Sequence, residues 1–154
     1  MTLDIKICGL STAAGLDAAI TAGADLAGLV VFPPSPRHVD LAAGRGLAAR
    51  ARGRIAIVAL TVDADDALLG DIVAEIAPDI LQLHGRESPA RVAAVRARFG
   101  RRVMKALPVA TAADLAVVPA YAAVADRLLF DAKAPKDATR PGGLGQPFDW
   151  HLLE

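Results

Sequence analysis

Six short runs of consecutive apolar residues punctuate the chain, at 4–8, 26–32, 55–62, 80–84, 103–106 and 127–131. They do not alternate apolar with polar. Consecutive apolar positions mean burial on both faces, the habit of parallel strands covered by helices. Between them lie Ala-rich segments with helical character at 13–22, 41–51, 65–77, 89–99 and 112–124. Gly23, Gly53 and Gly100 stand where three helices would end, the usual place for a C-terminal glycine. Strand starts recur every 22 to 29 residues or so, the repeat of a β-α unit. Right-handed crossovers then give an open doubly wound sheet or a closed (β/α)₈ barrel. The first strand ends Cys8-Gly9-Leu10-Ser11, with nothing like GxGxxG, which argues against a dinucleotide or P-loop fold. The pattern tips towards a barrel-type chain, in one domain over 1–154 with no internal boundary.

Composition narrows the function classes. The chain has 154 residues, 54% apolar and 22% charged, enough for one core. Lys+Arg and Asp+Glu both number 17, so no basic footprint for nucleic acid appears. Arg45, Arg50, Arg52 and Arg54 read as the solvated face of a helix. Cys8 is the only cysteine, which rules out an intrachain disulfide and a cysteine-based zinc cluster. The opening MTLDIKICGL carries an acid and no long apolar core, unlike a secretory signal. No stretch approaches the ~18 uninterrupted apolar residues of a membrane span. A cytoplasmic location, no membrane and no nucleic acid are therefore expected.

In a parallel barrel all strand C-termini open onto one face, which carries the chemistry. This chain places there Cys8, the loop Phe32-Pro33-Pro34-Ser35-Pro36-Arg37-His38, Thr61-Val62-Asp63, Gln82-Leu83-His84-Gly85, Lys105 and Asp131. Cys8 reads either as a small buried hydrophobe or as a thiol at a strand exit whose pKa must fall if it is to act as a base. Asp131, directly after Leu128-Leu129-Phe130, is either a cap for the next loop or an acid tuned by an apolar surround. A raised pKa would let it hold a proton near neutrality and donate it. Arg37, in a loop stiffened by three prolines, suits a carboxylate or phosphate; the alternative is a surface arginine. Gln82 and His84 share one side of a strand, and a lone strand-end histidine is more often structural than a ligand. His38 and His84 make no credible metal set with Cys8.

Together, "KICGL" at 6–10, "VFPPSPRHV" at 31–39, "LQLHGRE" at 81–87, "MKAL" at 104–107 and "LLFDAKAPKDATRPGGLGQPFDW" at 128–150 resemble the phosphoribosylanthranilate isomerases, (β/α)₈ enzymes of tryptophan biosynthesis. The resemblance runs from about Ile5 to Leu153. It implies a TIM-barrel aldose–ketose isomerase that performs an Amadori rearrangement on a phosphorylated aminosugar without cofactor or metal. It implies Cys8 as general base, Asp131 as general acid and Arg37 as the grip on the anthranilate carboxylate. Gln82 and His84 would line the substrate pocket. The glycine-rich segment 142–145 would be a mobile loop over the barrel mouth. Length departs from the pattern. Eight β-α units at this spacing need about 200 residues. Six strands and the start of a sixth helix at 148–153 can be counted. The expectation is an incomplete barrel, truncated at its C-terminus, whose phosphate site cannot be mapped and which would not turn over alone. The competing readings are a half-barrel completed by a partner chain and another phosphate-sugar barrel enzyme.

Overall fold

The computed structural model describes residues 3–135, 137–138, 141–145 and 147–153. Strands β1 (Lys6–Cys8), β2 (Leu26–Val30), β3 (Ala56–Thr61), β4 (Ile80–Leu83), β5 (Arg102–Val109) and β6 (Arg127–Ala132) form one sheet in sequence order. Every neighbouring pair is parallel. Helices α1 (Ala13–Thr21), α2 (Leu41–Ala51), α3 (Asp66–Glu75), α4 (Pro89–Phe99) and α5 (Val118–Ala122) connect the strands. The barrel-type α/β architecture expected from the consecutive apolar runs is the one observed. The six parallel strands in sequence order match six of the eight strands of the closed arrangement.

Local chemistry sets the element ends. Thr12, Asp40, Asp65 and Ser88 cap α1 to α4, each side chain accepting the N–H three residues on. Such a cap contributes about 1 kcal/mol. Gly100 ends α4 in the left-handed conformation at φ +59. At the sheet's opposite rim, three aspartates pin the register. Asp25, Asp79 and Asp126 accept the N–H groups of Ile5, Ile57 and Val103, each from the neighbouring strand or its approach. Each stands one position before β2, β4 or β6, so the device recurs at every second β-α unit.

Some boundaries differ from the sequence pattern. β5 runs on to Val109, past Pro108, where the apolar run was expected to end at 106. The helix expected over 112–124 is broken. Thr111 and Asp114 form a capping box on a 3-10 turn at Ala112–Val117, and Pro119 opens α5 as its own short helix. Proline has no N–H to continue an earlier helical ladder, so it starts a segment more readily than it extends one. The turn expected over 148–153 is a 3-10 turn at Trp150–Leu153.

Strand alternation divides the core in two. The helix-facing layer is the larger, with Leu16, Leu29, Leu69, Ile72, Val92 and Val95 among residues fully removed from water. The inner face holds a smaller cluster of Leu26, Val58, Ile80 and Met104, one from each of β2 to β5. Above that cluster, towards the strand C-termini, the inner positions turn polar.

Candidate active site

The inward alternation that buries Leu26, Val58 and Ile80 sends Lys6 and Cys8 of β1, Gln82 and His84 at the end of β4, and Asp131 of β6 into one cavity of about 230 Å³. Arg37, Phe32 and Ser35 form its side, Val30, Leu60 and Leu129 its apolar wall, and Gly142 and Gly143 its cover. Cys8, Arg37, Gln82, His84 and Asp131, all singled out in the sequence, thus meet at the strand C-termini.

Cys8 is exposed, which removes the reading of a small buried hydrophobe. Two glycines shape its surroundings. A Cβ on Gly28 would stand 3.0 Å from the Cys8 sulfur and 3.2 Å from the Lys6 Nζ. The thiol and the ammonium therefore lie over the bare backbone of β2. Gly9, at φ +83, follows the thiol, and a Cβ there would meet Arg37 Cδ at 2.5 Å. Its absence lets the Arg37 side chain cross the exit of β1. The Arg37 loop is tied by its own polar groups. Phe32 N–H donates to His38 Nδ1 at 3.0 Å and Arg37 N–H to Ser35 Oγ at 3.2 Å. His38 is thereby a loop brace. Arg37 Nη2 donates to the Gly143 carbonyl at 3.4 Å, bringing the glycine segment to the cavity.

Asp131 and His84 are paired, Nε2 to Oδ2, at 3.1 Å. Behind them the Gln82 amide nitrogen stands 3.0 Å from His84 Nδ1. Gln82 is fully buried and His84 partly buried. Gly142 sits so close that a Cβ there would fall within 2.6 Å of His84 Nε2 and closer still to Asp131 Oδ2. The hydrogen bond from His84 is the largest influence on the Asp131 carboxyl and holds its pKa below the ordinary value, against the opposing effect of partial burial. The Ala132 N–H and the Lys6 charge act in the same direction as His84. Of the two readings the sequence left open for Asp131, a loop cap or an acid raised by an apolar surround, the second implied the reverse shift. The surround is apolar only on one side; three donors or cations hold the other.

Lys105 does not reach the cavity. It alternates to the helix-facing side of β5, where its ammonium meets Glu87 at 2.9 Å, the Gly85 carbonyl at 2.8 Å and the Leu83 carbonyl at 3.2 Å. Both side chains are almost fully buried, at 2% and 3% exposure. Glu87 also accepts the N–H groups of Asp63 and Gly85, and Tyr121 donates to its carbonyl. This knot fixes the loop after β4, and so His84, from behind. Sequence reading missed Glu87 and Lys6. Lys6 had a signal, a lysine two residues before Cys8 in an otherwise apolar strand. Glu87, in an exposed-looking loop, had none. Among the described residues no cluster of three or more His, Cys, Asp or Glu side chains could hold a metal ion, and no helix is long and apolar enough to cross a membrane.

Residues 5–154 match the family model described as N-(5'-phosphoribosyl)anthranilate (PRA) isomerase. The chain belongs to the PRA isomerase family. It is 65% identical over 154 residues to the N-(5'-phosphoribosyl)anthranilate isomerase of Bradyrhizobium diazoefficiens, covering all of this chain and 69% of that protein. It is 67% identical to that of Rhodopseudomonas palustris over 153 residues, 99% of this chain and 70% of the relative. Among solved structures, the PRA isomerase of Thermotoga maritima superposes with a TM-score of 0.86 at 26% identity, covering 99% of this chain and 70% of that one. The chain thus spans about 70% of the length of these PRA isomerases, and the six strands fit within their barrels.

Proposed function

We propose that this chain carries the isomerase chemistry of its family: the Amadori rearrangement of N-(5-phosphoribosyl)anthranilate to 1-(2-carboxyphenylamino)-1-deoxyribulose 5-phosphate in tryptophan biosynthesis. The observation that carries this reading is convergence. Cys8, Arg37 and Asp131, from β1, the loop after β2 and β6, line one cavity at the strand C-termini under the segment at Gly142 and Gly143.

In this reading Asp131 protonates the furanose ring oxygen and the C1′–O bond breaks, giving a Schiff base. Cys8 as thiolate then removes the C2′ proton, and the resulting enolamine tautomerises to the ketone. Arg37 grips the anthranilate carboxylate with its two parallel N–H donors, a geometry matched to carboxylates. Gln82 and His84 line the floor. The segment 142–145 closes over the sugar and keeps water from the Schiff base. The reaction uses no cofactor or metal, and its substrate is a small phosphorylated aminosugar rather than nucleic acid or a membrane. No described residue is assigned to the phosphate.

The test is turnover by the 154-residue chain, read as loss of anthranilate fluorescence. A positioned acid or base typically contributes 10²–10⁴-fold. Cys8→Ser and Asp131→Asn should each lower kcat by about that factor, with KM within about threefold. Turnover indifferent to either change removes that residue from its role.

A further inference from the structure

The proposed ring opening needs a proton on the acid. Asp131 considered alone is poorly placed to hold one. His84 Nε2 stands 3.1 Å from Oδ2 and the Ala132 N–H donates to Oδ1 at 3.0 Å. Both contacts favour the carboxylate, and a carboxyl below its ordinary range is empty at neutral pH. Imidazole is the side chain whose ordinary titration falls between about pH 5 and 8. The chain sets one directly against this carboxylate.

We propose that the acid of the site is the His84–Asp131 pair: His84 holds the proton that Asp131 delivers, and Gln82 is the rest on which the ring changes protonation state. This builds on the isomerase reading above. Before ring opening, His84 is an imidazolium with N–H at both nitrogens. The Nε2 proton passes to Asp131 Oδ2. The carboxyl gives a proton to the furanose oxygen as the C1′–O bond breaks and its electron pair stays on oxygen. Asp131 is a carboxylate again, and His84 is left neutral with its proton on Nδ1. One proton has left the ring and one has reached the substrate.

Gln82 is built for both states. Its amide nitrogen now faces Nδ1 at 3.0 Å, the pairing of a neutral ring protonated at Nε2. Its Oε1 is buried without a hydrogen-bond partner among the described residues. A half-turn of the amide brings that oxygen to Nδ1 as acceptor, which is what an Nδ1–H requires. Since Oε1 is tied to nothing on its far side, the turn breaks no other bond. A buried unpartnered amide oxygen otherwise costs stability. Other charged and titratable groups face the pair from each neighbouring element: Lys6 and Cys8 from β1, Arg37 after β2, Asp63 after β3, and Arg86 after β4. Lys105 and Glu87, behind the strands, are satisfied by one another. Among the described residues only Asp131 is in hydrogen-bonding contact with the imidazole's Nε2. His84 is therefore a positioning residue that acts through Asp131.

The experiment is an NMR titration of the 154-residue chain from about pH 8.5 to 4, following the His84 ring nitrogens and the Asp131 carboxyl carbon together. The chain has three histidines, so His84→Asn assigns the ring signals. One joint step, felt by both groups at the same pH, is expected. In His84→Asn the carboxyl carbon should lose that step and keep only one in the acid range. A Gln82→Glu carboxylate can only accept, so the neutral ring should change from the Nε2–H to the Nδ1–H tautomer. An Asp131 carbon that stays silent while His84 titrates overturns the proposal, and the wild-type chain alone decides this if the variants do not fold. Turnover separates the two readings. Turnover with a silent Asp131 carbon sinks the proton pair and leaves the isomerase; a joint step with turnover indifferent to Cys8→Ser and Asp131→Asn does the opposite.

Discussion

At the scale of single residues, most of the site was legible where a polar side chain interrupted an apolar run, although Lys6 was passed over and Lys105 faces the other side of the sheet. Cys8, Gln82, His84 and Asp131 stand at or just past strand ends, and strand alternation is enough to send them inward. Arg37 was legible from the prolines around it. What the residues do to one another was not. Whether Asp131 is raised or lowered depends on His84, 47 positions earlier in the chain, and on Lys6 across the cavity. The direction has a consequence for stability. A carboxyl lowered on folding stabilises the fold at pH values above its ordinary pKa of 3.8, and that contribution is lost as pH falls through the lower folded value. Wild type and Asp131→Asn should therefore differ in their pH dependence. Denaturant unfolding at a series of pH values from 7 down to about 3 should show the wild type losing more stability than the variant over the acid end. Parallel curves would mean that the carboxyl gains nothing from His84 on folding.

At the scale of elements, strand and helix existence followed from the apolar runs, while their ends followed from chemistry the runs do not carry. β5 extends because β6 pairs with it as far as Ala132. The segment after it breaks because Asp114 accepts three local donors, the Ala110 and Thr111 N–H groups and the Thr111 hydroxyl, which fixes a separate turn there. The loop after β4 is the element most dependent on one long-range pair. Glu87 neutralises the buried Lys105 ammonium and accepts two backbone N–H groups besides. Removing one partner of a buried pair leaves an uncompensated charge and typically costs 3–5 kcal/mol. Glu87→Ala should therefore destabilise by about that amount in urea unfolding. Lys105→Met in the same background should restore only part of it, because the Asp63 and Gly85 N–H groups remain unpaired. Full restoration would show that the ion pair alone holds the loop, and a single-variant effect below about 1 kcal/mol would show that water reaches it.

At the scale of the whole molecule, the two faces of the sheet carry different loads. The helix-facing layer holds most of the fully buried side chains, whereas the inner face has a four-residue cluster at one end and a polar cavity at the other. Hydrophobic stabilisation follows apolar area removed from water, so it is concentrated in the outer layer. The division follows from the strand order: with the strands in sequence order, right-handed crossovers all fall on the same face of the sheet. The division predicts that stability and the site can be perturbed separately. Ile72, on α3, is fully buried among outer-layer side chains, and Ile72→Ala should cost 2–5 kcal/mol or so by cavity formation. Leu129, on the inner face of β6, is only partly buried and forms cavity wall. Leu129→Ala removes less area from a site already open to water, and should cost under about 1.5 kcal/mol while enlarging the cavity beside Asp131. Urea midpoints of the two variants, measured with the Asp131 carboxyl resonance in each, separate the effects. Ile72→Ala should move the midpoint and leave the resonance in place, and Leu129→Ala should do the reverse. Equal losses of stability would mean that the inner face supports the fold as much as the helix layer does.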